Sequence, residues 1–117
     1  MIKNPIVYLN HILTCTSKIQ AYTSGIDEEE FLKDSLIQDG VIRNLEIIGE
    51  ATKQLKTEFR AKYPDIEWKK IAGLRDKLIH DYIGVDIWAV WGVVEKVIPE
   101  FEVQIRNIIA REKGKED

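Results

Sequence analysis

No apolar run in this chain is long enough to cross a bilayer, which excludes a membrane-spanning helix. Met1 to Tyr8 carries one lysine and is followed by neither a long apolar stretch nor a small-residue cleavage site, arguing against a secretory signal. Cysteine is nearly missing: Cys15 stands alone, so neither an intramolecular disulfide nor a cysteine-rich zinc site can form. Cys15 shares an apolar helical register with Ile12 and Ile19 and reads as a core thiol. Together these absences point to the cytoplasm. Histidine is also scarce, with His11 and His80 the two imidazoles in the chain. No internal repeat, linker, low-complexity segment or convincing alternating strand run is present.

What remains is a chain of 117 residues, a single domain on size alone, with 44% hydrophobic and 32% charged residues as in soluble globular proteins. A net charge of −3 argues against coating nucleic acid with the whole surface, so any RNA contact must rest on a local patch.

Helical periodicity dominates. Asn4-Pro5 reads as an N-cap with proline in the first turn, and Ile6, Leu9, Ile12, Leu13, Thr16 and Ile19 mark one face as far as Gly25. Asp27 and Glu30 form a capping-box pair ahead of a short helix through Phe31 and Leu32. A long helix is expected from Ser35 to Phe59, burying Val41, Leu45, Ile48, Thr52 and Leu55, until Tyr63-Pro64 breaks the run. Asp65 is expected to cap the next helix, which carries Lys69, Lys70 and the segment IAGLRDKLIHDY, with Gly84 as its stop. The last helix begins near Asp86. Ile87, Trp91, Val94, Ile98, Phe101, Ile105 and Ile108 form an a/d seam suited to packing within a bundle or against another subunit. Pro99 should kink or divide it, and residues 111–117 read as a frayed polar tail. The expectation is one all-α, up-and-down bundle of four to five helices over residues 1–117.

The chemistry concentrates around His80. On a continuous helix Asp76 and His80 are i and i+4, so the carboxylate can orient the imidazole and raise its basicity. Arg75 lies five residues before His80, about 140° away around an ideal helix. The two converge only if the helix ends near His80 or a second copy of the chain faces the first. Arginine and histidine without a metal-ligand cluster suit RNA transesterification: the imidazole takes the 2′-hydroxyl proton and the guanidinium stabilises the phosphate charge. Lys69, Lys70, Arg75 and Lys77, offset by Asp76, make a locally basic patch for an RNA backbone. Spacing alone leaves the plain alternative open, that these are an ordinary surface pair and a solvated face. His11 has no acid–base partner nearby in sequence and reads as a surface or core-edge residue.

Arg75, four residues, His80, one residue and Tyr82 match the Arg-x4-His-x-Tyr signature of HepT-like HEPN proteins. RNLEIIGEA (Arg43 to Ala51), YPDIEWKKIAGLRDKLIH with DYIGVD, and VWGVVEKVIPEF resemble further segments of that family, so the resemblance extends from about Tyr8 to about Ile109. It implies a dimeric helical bundle that brings two motifs together, with Arg75 and His80 carrying metal-independent RNA cleavage, Asp76 tuning the site, and no cofactor. It further implies the toxin half of a type VII-like toxin–antitoxin pair, whose minimal nucleotidyltransferase antitoxin transfers AMP to Tyr82. Phosphate and adenosine beside His80 would block the site and repel substrate; a structural tyrosine at the helix end is the other reading.

Arg43, Glu46 and Glu50 form a polar stripe on the long helix, and Ile47 and Ile42 flank it outside the main core arc. Either Arg43 and Glu46 are a simple i,i+3 ion pair, or this face meets the partner of a dimer near the composite site. Trp68, Trp88 and Trp91 are candidates for stacking on bases, against core packing as the alternative. Two further functions compete with the ribonuclease: a non-catalytic nucleotide-binding or scaffolding partner of the nucleotidyltransferase, and a plain helical dimerisation protein.

Overall fold

The computed structural model describes residues 4–80 and 84–116. The Asn4 side chain accepts the Ile6 N–H at 2.9 Å, and Pro5 opens helix α1 (Pro5–Thr23) where its missing donor costs nothing. Gly25, at φ +77, ends the connection as expected. The capping box at Asp27 and Glu30 is formed in both directions and starts α2 (Glu28–Lys33), which delivers fully buried Phe31 to the core. Helix α3 (Ser35–Lys53) follows, capped by Asp34.

The long helix stops short of the Phe59 boundary read from the sequence. Gln54 to Lys56 form a break, and α4 (Thr57–Ala61) restarts beyond it. Arg60 explains the stop: its Nη2 donates to the Thr52 carbonyl at 2.8 Å, satisfying one of the orphan acceptors at the end of α3. The break still buries Leu55 and Phe59.

A second difference follows Pro64. Asp65 lies in a turn rather than at a cap, and α5 (Trp68–Ala72) begins after Glu67. The turn is held by the buried Trp68 indole, whose Nε1 donates to the carbonyls of Arg60 and Tyr63, each at 3.1 Å. Gly73 separates α5 from α6 (Leu74–Leu78), and the helix ends there instead of continuing to Tyr82. Two short strands, β1 (Ile79–His80) and β2 (Gly84–Val85), pair antiparallel, with His80 opposite Gly84. The sequence carried no alternation to announce a pairing this short.

Pro99 lies just inside a divided last helix, α7 (Ile87–Lys96) and α8 (Ile98–Glu116). The a/d seam packs inward: Trp91, Val94, Ile98, Phe101, Ile105 and Ile108 are all buried within the protomer. Trp91 sits against Phe31, ring centroids 5.1 Å apart. Helix α8 continues to Glu116 through the stretch read as a polar tail. Its Glu112 is anchored there by the Tyr63 hydroxyl, which donates to the carboxylate, and by Lys62 at 3.5 Å.

The architecture is all-α apart from the short strand pair, with eight helices among the described residues. Helices α1, α3, α7 and α8 make the bundle, and α2, α4, α5 and α6 are the pieces into which breaks divide the connections. Helix α1 packs between α3 and α8, and α3 also carries α5 and α6. Leu9, Ile12, Ile19, Val41, Ile48, Ile98 and Ile105 are completely buried at its centre. Thr16 and Ser17 of α1 both donate to the Glu102 carboxylate of α8 at 3.0 Å, a polar tie beside this core. No helix among the described residues is long and apolar enough to cross a membrane.

Truncating Ile48→Ala should cost about 2–5 kcal/mol, because a fully closed site relaxes little around the lost methyl groups. Urea denaturation measures it. Burial, reinforced by the Glu112 carboxylate, pushes the Tyr63 hydroxyl up to about 12. The folded chain therefore favours the neutral phenol: its contribution is complete below the usual tyrosine range near about 10 and is lost as pH rises through about 12. Tyr63→Phe should lower stability by about 1–2 kcal/mol at neutral pH, and the gap from wild type should narrow across that alkaline window. A constant gap would contradict the assignment.

Candidate functional site

Helix α6 is seated by its apolar side. Leu74 and Leu78 are buried among Ile42 and Leu45 of α3 and Val90 of α7. That anchoring turns the intervening Arg75 outward, where its side chain is 50% exposed. A close approach next door helps set the position. A Cβ on Gly49 would stand 3.3 Å from the Ala72 carbonyl oxygen, so the glycine lets the end of α5 come down onto α3 one turn beyond Glu46.

Arg75 consequently faces two carboxylates. Its Nε is 3.8 Å from Glu46 Oε2 and its Nη1 3.8 Å from Asp76 Oδ1. Both separations exceed hydrogen-bond range, and solvent screens exposed pairs of this kind to little net energy. The guanidinium is held near its place while its donors stay available to an anion, for which a fixed planar fork is well suited.

Beside Arg75 opens a cleft of about 390 Å³. Helix α3 supplies Arg43, Glu46, Ile47 and Glu50, and α1 supplies Tyr8 and His11. The polar stripe on α3 is therefore gathered with Arg75. Of the two readings of this stripe, the i,i+3 ion pair of Arg43 and Glu46 is absent: Glu46 turns to Arg75, and Arg43 makes no ion pair among the described residues. Burial pushes the Cys15 thiol above its ordinary value, partly opposed by Lys18 and Arg43, which agrees with an inert core thiol.

The expected Asp76–His80 pairing on one helix is not supplied by the backbone, because α6 ends at Leu78 and His80 lies in β1. The helix does end near His80, one of the two conditions under which Arg75 and His80 can converge. The Asp86 N–H donates to the Leu78 carbonyl at 2.9 Å, and Gly84, at φ +93, stands opposite His80. For His80 the structure describes the backbone; Tyr82 lies outside the described residues.

Two of the lysines line a different cleft from Arg75. Lys69 and Lys70 are exposed on α5 and border a separate cleft of about 560 Å³ with Arg60 and Trp68, and Lys70 pairs with Glu67 at 2.6 Å. Lys77 is exposed on α6. Of the tryptophans, Trp68 and Trp91 are core residues, while Trp88 is 63% exposed on α7. Tyr8 and His11 are the site residues that sequence reasoning passed over. Their one signal was a shared face of α1, and nothing in the sequence says that α3 and α6 lie across from it. Among the described residues no group of three or more His, Cys, Asp or Glu side chains is placed to hold a metal ion.

The family model described as "Ribonuclease HepT-like" matches residues 12–108, a span that includes most of the cleft and the whole Arg75–Tyr82 motif. The chain belongs to the HepT-like family. A provisionally named RNase from Caldanaerobacter subterraneus subsp. tengcongensis is 46% identical over 111 residues, covering 95% of this chain and 99% of that one. A similarly named RNase from Methanocaldococcus jannaschii is 41% identical over 110 residues, covering 94% and 91%. A provisionally named ribonuclease HepT from Thermococcus cleftensis is 43% identical over 101 residues, covering 86% and 92%. No solved structure gives a significant match.

In this HepT-like chain β2 opens on Gly84, whose φ of +93 is left-handed. A Cβ at Gly84 would meet nothing within 4 Å, so Gly84→Ala tests backbone strain alone. It should lower stability by about 1–3 kcal/mol in urea denaturation. A variant as stable as wild type would show that position 84 tolerates a side chain at this φ.

Proposed function

We propose that this HepT-like protein is a metal-independent endoribonuclease and the toxin of a type VII-like toxin–antitoxin pair. The observation that carries the reading is the half-exposed, loosely paired Arg75 at the edge of an open cleft, within the Arg-x4-His-x-Tyr motif of a family described by its ribonucleases. Its relatives' names support the same class.

In the proposed reaction His80 takes the proton from a ribose 2′-hydroxyl, and the oxygen attacks the adjacent phosphorus. Arg75 stabilises the added negative charge on the phosphoryl oxygens as the bond to the 5′-oxygen breaks. The leaving oxygen takes a proton from the second copy of the motif, giving a 2′,3′-cyclic phosphate and a 5′-hydroxyl. Asp76, beside the Arg75 guanidinium, tunes its position. Two copies meet as a homodimer through the α3 stripe of Arg43, Glu46, Ile47 and Glu50, placing two motifs in one composite site. Lys69, Lys70 and Lys77 hold the RNA backbone on either side. A minimal nucleotidyltransferase antitoxin silences the toxin by joining the AMP of ATP to the Tyr82 hydroxyl with release of pyrophosphate; the added phosphate repels substrate.

Purified chain, checked by mass for unmodified Tyr82 and by sedimentation for dimer, should cut total cellular RNA in excess chelator. Arg75→Ala and His80→Ala should each lose about 100-fold or more of that rate while remaining dimeric. Inactivity of unmodified dimeric wild type would transfer the assignment to a non-catalytic nucleotide-binding partner. Activity restored only by a divalent ion would overturn the metal-independent mechanism.

A further inference from the structure

The reaction just proposed makes no use of the α1 wall of the cleft. Tyr8 and His11 are three residues apart on α1 and so lie on one face, across from Arg43 and Glu46 of α3. His11 is exposed and Tyr8 half-buried, so neither is consumed by the core. At the far end of α3, exposed Gln54 adds an amide that can both donate and accept.

The mixture of groups narrows what fits. A bare anion would gain from Arg43 and Arg75 but meet Glu46 and Glu50 beside them. An acidic peptide would suffer the same repulsion at every carboxylate. A nucleoside joined to a phosphate satisfies both sets: the phosphate sits on the guanidinium, while amino and hydroxyl donors of base and sugar meet the carboxylates and Gln54. An aromatic wall gives the base a face to stack on. The space of about 390 Å³ lies within the range of small-molecule sites, roughly 300–1,000 Å³.

We propose that Tyr8 and His11, with Gln54 and the α3 carboxylates, form a nucleoside subsite for the residue attached to the phosphate that Arg75 holds. It rests on the ribonuclease reading for the identity of that phosphate.

The test separates this proposal from the activity. A non-cleavable 2′-O-methyl trinucleotide is titrated into the full dimeric chain by fluorescence anisotropy, with inorganic phosphate and a free 5′-mononucleotide as competitors. Tyr8→Ala and His11→Ala should each weaken trinucleotide binding about tenfold and leave displacement by phosphate unchanged. The conservative Tyr8→Phe should retain most of the affinity, and thermal melts check that each variant is folded. In RNA cleavage both alanine variants should raise KM by a similar factor with kcat within about twofold of wild type. Competition by the mononucleotide that also depends on Tyr8 supports a subsite open to soluble nucleotides; competition by phosphate alone leaves RNA as its occupant. Trinucleotide binding indifferent to both substitutions overturns the subsite, even if RNA is cleaved. Tyr8-dependent binding without any cleavage overturns the ribonuclease reading and leaves the subsite standing.

Discussion

The α1 and α3 groups that reach the cleft are held by the apolar seam between those two helices. Leu9, Ile12 and Ile19 on one helix and Val41, Leu45 and Ile48 on the other are all but completely closed to solvent, so the register between the helices cannot slide without opening voids. That register decides which residues of the two helices look across the cleft. Tyr8 and His11 face Arg43, Glu46 and Glu50 because the opposite faces are occupied by core. Helix α3 is the common member, since α5 and α6 also rest on it. A substitution deep in the seam would therefore disturb chemistry several residues away from itself.

The Arg75 guanidinium shows how a weakly held charge can still be well placed. Its two carboxylate neighbours at 3.8 Å contribute little stability at this exposure. Its position comes from Leu74 and Leu78, which lock α6 onto α3 and α7, and from the close approach at Gly49. Apolar burial supplies the rigidity, and the polar side is left free to meet an anion. A tight bidentate pair in the same place would have occupied the donors that substrate phosphate needs.

Much of the fold was legible from residues alone. Asn4-Pro5, the Asp27–Glu30 box, the Tyr63-Pro64 break and the division near Pro99 are local signals, each tied to a backbone donor or a fixed φ. The misread boundaries share one cause. Helix α3 ends at Lys53 because Arg60 caps Thr52, and α5 starts at Trp68 because an indole bridges two carbonyls of the preceding turn. Both depend on side chains that reach back to carbonyls five to eight residues earlier. Glu46, too, has a natural partner in its sequence neighbour Arg43, yet its spatial neighbour is Arg75.

The sequence by itself determined the all-α class, the buried faces, the inert Cys15 and the Arg75–His80–Tyr82 motif that marks the HepT-like family. The first three follow from periodicity and composition, which act over a turn or two of chain, and the motif is read through its resemblance to the family. Tertiary structure decided which polar residues share a cleft. It separated Lys69 and Lys70 from Arg75, joined Arg75 to Glu46, took His80 out of the helix, and brought His11 into a site from which its sequence neighbours gave no reason to expect it. Those outcomes depend on how helices far apart in the chain bury their apolar faces against one another, and periodicity identifies the faces without naming the partners.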